Sequence, residues 1–205
     1  MSDEDQLNRT MNLNAHYAWG FALWASAEAA RTSGNLVLAP IGYYYSVFHS
    51  AYAYLNAMPG IAPTTFDRMG HQALSNLIEQ HLGSDLQKDF DEMRDLREAI
   101  NYLGMGSPAG KLRVLRGHPL RFGTPSQSAS LDDMISRARS KSRDFIITTL
   151  DRVAALPSRA VDTFPTRGDD DENWLLEYMQ EDIYLGLMSD DMRGKAVTIV
   201  RELLA

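Results

Sequence analysis

Cysteine is absent from this 205-residue chain. That excludes disulfides, a thiol nucleophile and every thiolate-held metal. Long apolar runs are missing too. The nearest, Tyr17 to Ala27, is too short to span a bilayer. No glycine-rich phosphate loop, no His-Glu-x-x-His and no Gly-x-Ser-x-Gly occurs. The acidic run Asp169-Asp-Asp-Glu172 lacks the alternating ligands of a calcium loop. Standard metalloenzyme and hydrolase chemistry therefore has no support, and no cofactor or metal is expected. The opening Ser2-Asp-Glu-Asp-Gln6 has no basic start or apolar run, unlike a signal peptide. The expectation is a soluble cytoplasmic protein with no membrane contact.

Hydrophobic residues make up 44% of the chain, enough for a sizeable core. Their spacing is helical. Ala15, Ala18, Ala22, Ala25 and Ala29 make a small-residue stripe on a first helix over about 12–31, which Gly34 ends. A second helix begins near Pro40, with Ile41, Tyr44, Phe48, Ala51 and Leu55 as a bundle seam. Pro59, Gly60 and Pro63 form a turn, and Thr64 or Thr65 caps a third helix that stops at Gly83. Its stripe is Gly70, Leu74, Leu77, Ile78 and His81. A fourth helix runs from Ser84 or Asp85 to Gly104. No strong strand alternation appears in this half, so an antiparallel four-helix bundle is predicted over 1–104. Glycine and proline punctuate a basic connector over 105–129. A helical C-terminal extension fills 130–205, with a fifth helix over about 130–155, a sixth carrying Trp174 and Tyr178, and a final one.

One residue breaks the pattern. Leu86, Phe90, Met93, Ile100 and Leu103 share the apolar face of the fourth helix, and Arg97 projects into its middle. A guanidinium is seldom buried alone, so Arg97 calls for an anionic partner, an interface or a cleft. Asn101 lies one turn on, and Tyr102 follows. Such a set can hold a phosphate through the planar fork of arginine. The plainer alternative is a structural ion pair, with Glu28 on the first helix as one partner. His49, on the side of Tyr45 and Tyr52, can meet Arg97 across the bundle or serve as packing. His71 and His81 read as packing or interface residues.

Charge is uneven. Residues 104–143 hold eight basic side chains against Asp132 and Asp133, a local balance of +6 within a net −7. Arg137, Arg139, Lys141 and Arg143 cluster on the fifth helix. They suit an anionic partner, or a plain solvated face.

The run Gly42-Tyr-Tyr-Tyr45-Ser-Val-Phe48-His49 resembles the second helix of HEPN domains. Thr65 to Ile78, with His71 inside it, resembles their next helix. Met93-Arg-Asp-Leu96-Arg97-Glu-Ala-Ile100-Asn101-Tyr102 resembles their final helix. The order and spacing agree over residues 12–104. The resemblance implies an up-and-down four-helix bundle, commonly a homodimer. It also implies a role in toxin–antitoxin, defence or RNA-processing systems, with an antitoxin or nucleotidyltransferase as partner. Active members carry an arginine followed four to six residues later by histidine. Here Arg97 matches the arginine, Asn101 falls in the polar stretch, and Tyr102 stands at the histidine position. A tyrosine, with a pKa near 10, is a poor base at neutral pH. Three readings follow. The first is a dimeric binder of RNA or a nucleotide phosphate. The second is a metal-independent endoribonuclease toxin using Arg97 with Tyr102 or His49. The third is a non-catalytic structural or interaction protein.

Overall fold

The structure is a computed structural model that describes residues 3–35, 37–66, 69–102 and 125–156. The described residues are all-helical, with no strand. They form α1 (Asp3–Thr32), α2 (Leu38–Ala57), a 3-10 turn (Pro63–Phe66), α3 (His71–Leu82), α4 (Ser84–Tyr102) and α5 (Pro125–Ala154). No helix among them is long and apolar enough to cross a membrane. The sixth and final helices expected from the sequence, with Trp174 and Tyr178, lie outside the described residues.

Glycine sets the first turn. Gly34 at φ 76° donates to the Arg31 carbonyl, and Asn35 donates back to that of Ala30. A residue with a Cβ rarely adopts that left-handed backbone, so the helix stops here. The Asn35 side chain then accepts the N–H of Leu38 and starts α2. α1 and α2 lie antiparallel and in close contact, because small residues line their seam. Ala18, Ala22 and Ala25 are buried there, whereas Ala15 is only half-buried and Ala29 is exposed.

α2 is the centre of the bundle and touches every other helix. Its predicted seam is buried at Tyr44, Ala51 and Leu55 and half-buried at Ile41 and Phe48. Tyr43, Val47 and Tyr54 are buried too, because α2 has neighbours all round. α3 starts later than the threonine caps predict. Pro63–Phe66 makes a single 3-10 turn, and Gly70 is extended at ψ 169°. A helix cannot run through that conformation, so Gly70 is the cap of α3 rather than part of its stripe. Gly83 at φ 100° alone separates α3 from α4 and folds them into a hairpin. α5 starts at Pro125, earlier than its periodicity indicates. Ile135, Ala138, Phe145, Ile146 and Val153 of α5 share one hydrophobic cluster with α1 to α4.

One buried charge fixes the far end of α2. Arg9, 8% exposed, donates from Nη1 to the Asn56 and Met58 carbonyls and from Nη2 to that of Ile61. Those carbonyls lie at and just beyond the last turn of α2, where the helix dipole favours a cation. Arg9→Met keeps the apolar stem but orphans three acceptors. A loss of about 3 kcal/mol is expected, or a melting point roughly 6–12 °C lower. Thermal unfolding followed by circular dichroism checks this, and an unchanged transition overturns it.

Candidate anion-binding site

α4 lies against α2, with Phe90 packed 5.6 Å from the Tyr44 ring. Heptad spacing along α4 then carries Arg97 to the adjoining Tyr44–Tyr45 step of α2. Its Nη2 donates to the Tyr45 hydroxyl at 2.7 Å. Its Cζ lies 5.3 Å from the Tyr45 ring centre and 5.4 Å from that of Tyr44, within cation–π range of both. The Nε is enclosed and has no hydrogen-bond partner. Among the described residues no carboxylate pairs with Arg97. Burial acts against its charge, but the Tyr45 bond, the Tyr45 and Tyr44 hydroxyls and the charge of Glu98 outweigh burial and hold its pKa above the ordinary value. Arg97 is thus a permanent cation held in place by aromatic groups that do not neutralise it.

Glu28, the partner named for Arg97 in the ion-pair alternative, faces elsewhere. It accepts from Arg139 Nε at 2.7 Å, from Arg31 at 3.0 Å and from the Tyr43 hydroxyl. Burial pushes its carboxyl up, but the bonds from Arg139, Tyr43 and Arg31 hold it below the usual range. The cluster is a clasp between α1, α2 and α5, reinforced by Arg139 over the Trp24 ring.

His71 is the histidine that the fold brings to this corner. It is the first residue of α3, and its Nδ1 meets the Tyr44 hydroxyl. Its ring lies 5.2 Å from Phe48. Burial, then the charges of Arg97 and Arg94, push its pKa below the ordinary value. A neutral ring at pH 7 follows. Tyr44 Oη therefore touches His71 while the ring beneath it faces Arg97.

His49 lies on the other side of Phe48. Its Nδ1 is 3.0 Å from the Nδ1 of His16, and its ring stacks near Trp19. Among the described residues nothing joins His49 to Arg97. Of the two readings of His49, packing holds and a meeting with Arg97 does not, because His49 turns from the α4 side of α2 to the α1 side. Asn101 and Tyr102 close α4, and their side chains lie outside the described residues.

The basic cluster of α5 is divided. Arg139 binds Glu28, and Lys141 donates to Asp89 and Glu92, both at 2.6 Å. Arg143 is half-buried. Arg137 is exposed beside a cleft of about 290 Å³ between α4 and α5, floored by Met93, Leu96 and Met134. Two of the four cations thus bind acids of the bundle rather than facing solvent as one patch. Among the described residues no group of three or more acidic or histidine side chains is placed to hold a metal.

Arg9 and His16 are the positions that sequence patterns missed. Arg9 sits on a polar stretch with no apolar stripe to make it stand out. His16 needed the antiparallel pairing of α1 with α2 to be placed opposite His49. Comparison with family models, with curated proteins and with solved structures finds no match.

Proposed function

We propose that this chain is a HEPN-like dimeric protein that binds RNA or a nucleotide phosphate at Arg97. One observation carries the proposal: a guanidinium packed on Tyr44 and Tyr45 with no carboxylate bonded to it among the described residues. A charged group so placed lacks the partner that a structural ion pair supplies, and phosphate oxygens fit its planar fork. Tyr45, half-buried beside it while Tyr44 is fully enclosed, is the ring that suits an unpaired base.

Anisotropy of a labelled single-stranded RNA, and of a labelled nucleotide, tests this at low and moderate salt. Arg97→Met is expected to weaken binding by about 10- to 100-fold, the worth of a charge-assisted bond. Tyr45→Phe removes one orienting bond and has a smaller effect. Affinity unchanged in Arg97→Met sinks the proposal.

The Tyr44–His71 contact favours a second reading, a metal-independent endoribonuclease. His71, kept neutral beside a cation, is base-competent in a way that a tyrosine at neutral pH is not. In chelator, RNA cleavage would be lost in Arg97→Met and in His71→Gln and kept in His49→Gln. No cleavage at enzyme excess eliminates this second reading and leaves the binding proposal standing.

A further inference from the structure

We infer that His16 and His49 form a two-histidine site for a divalent transition-metal ion of the zinc or nickel kind, separate from the Arg97 corner. The site arises from the α1–α2 seam. Gly20 of α1 faces Ser46, His49 and Ser50 of α2, and a Cβ at position 20 would lie 3.7 Å from that of His49. This close approach brings His16 and His49 together. Their Nδ1 atoms, not their Nε2 atoms, converge to 3.0 Å.

That span has two uses. One is a hydrogen bond in which one neutral ring donates and the other accepts. The other is chelation. With metal–nitrogen bonds of about 2.0–2.1 Å, a 3.0 Å span subtends about 95° at the ion. This is the angle between neighbouring positions of an octahedron or of a flattened tetrahedron. The ring centres lie 5.2 Å apart, so the two Nδ1 atoms aim nearly at each other, and each ring must tilt to aim its Nδ1 at a shared ion beside the N–N line. The donor ring shifts its proton from Nδ1 to Nε2, and no proton is released.

The surroundings suit the task. Imidazole must be neutral to bind a metal, and burial keeps both rings so. Tyr52 stacks on His16 at 5.0 Å, and Trp19 and Phe48 flank His49 at 6.2 and 5.6 Å. These rings set the planes from which the imidazoles tilt. Both histidines are only half-buried, so water or an added ligand completes the coordination. Nitrogen donors favour nickel and zinc over magnesium and calcium, which prefer oxygen.

The full chain, stripped with EDTA and then freed of it, is titrated with Ni²⁺, Zn²⁺ or Mg²⁺ alone in a calorimeter. One Ni²⁺ or Zn²⁺ per chain is expected, with no Mg²⁺ binding. His16→Gln and His49→Gln each weaken binding at least tenfold, and His81→Gln does not. Paramagnetic broadening by Ni²⁺, confined to the imidazole signals of His16 and His49, reports on the unsubstituted protein and needs no variant to fold. No binding at about 1 mM ion overturns the inference. So does binding retained in the double glutamine variant, or broadening centred on another histidine.

Discussion

Gly42→Ala lowers the melting point by roughly 4–8 °C, although alanine is the better helix former by about 1 kcal/mol. The cause is the approach of α2 to α1. A Cβ at position 42 would stand 2.8 Å from the Cβ of Ala27, 3.0 Å from the Leu23 carbonyl oxygen and 3.2 Å from the Cα of Ala27. Two of those atoms are backbone and cannot rotate away. The helices must separate by several tenths of an ångström, and the packing of Tyr43, Tyr44 and Trp24 loosens with them. Overpacking of this kind costs about 3 kcal/mol and overrides the gain in propensity. Gly60 is the control. A Cβ there meets nothing within 4 Å, so Gly60→Ala is neutral or slightly stabilising. The sign of the effect at position 42 is the test. A higher melting point in Gly42→Ala removes the close-approach account of the seam.

That seam was partly legible in the sequence. The alanine stripe of α1 and the Tyr44–Ala51–Leu55 line of α2 are periodic signals, and Gly34 and Gly83 end their helices as glycines do. The start of α3 was not legible. Thr64 and Thr65 carry the marks of a helix cap, but the same residues also suit the short 3-10 turn that forms there. Local chemistry does not separate the two outcomes. The extended Gly70 does, and it depends on how α3 docks.

The candidate site divides in the same way. A charge on the apolar stripe of α4 marked Arg97, since amphipathic spacing is a property of one helix. Its partner is 52 residues away and is a tyrosine hydroxyl, not an acid. Charge pairing pointed to Glu28, which the cations Arg31 and Arg139 occupy instead. Aromatic rings can hold a guanidinium without neutralising it, and no charge pattern signals that. The basic stretch misled for the opposite reason. Its positive balance is real, but Lys141 meets Asp89 and Glu92 only once α5 packs against α4. His49 and His71 flank Phe48 on α2, and only packing decides which of them faces Arg97.

Acid destabilises the bundle in a window set by His16 and His49. Burial pushes both rings down to about 4 from an ordinary value of 6.5, and His16 adds to the effect on His49. Their ring contacts are Trp19, Phe48 and Tyr52, which offer no negative charge to an imidazolium. The unfolded chain takes up protons on these histidines below pH 6.5, and the folded chain resists until about pH 4. Stability from the pair is therefore complete above pH 6.5 and lost as pH falls toward 4. Either ring at its limit is worth about 3 kcal/mol, and the second proton, which takes the acceptor Nδ1, breaks the bond that they share. The depressed pKa of His71 acts in the same direction. Glu28 acts lower, because its carboxyl is held below the ordinary 4.5. Unfolding free energies from urea titrations in EDTA should hold steady above pH 7, fall by about 1 kcal/mol or more between pH 6.5 and 5, and fall further toward pH 4, the urea midpoint falling with them. The double variant His16→Phe, His49→Phe keeps aromatic contacts but has nothing to titrate, so its slope over that window is expected to be much flatter. A midpoint that does not move between pH 7 and pH 5, or a slope unchanged in the double variant, shows that the two imidazoles do not form the buried neutral pair described.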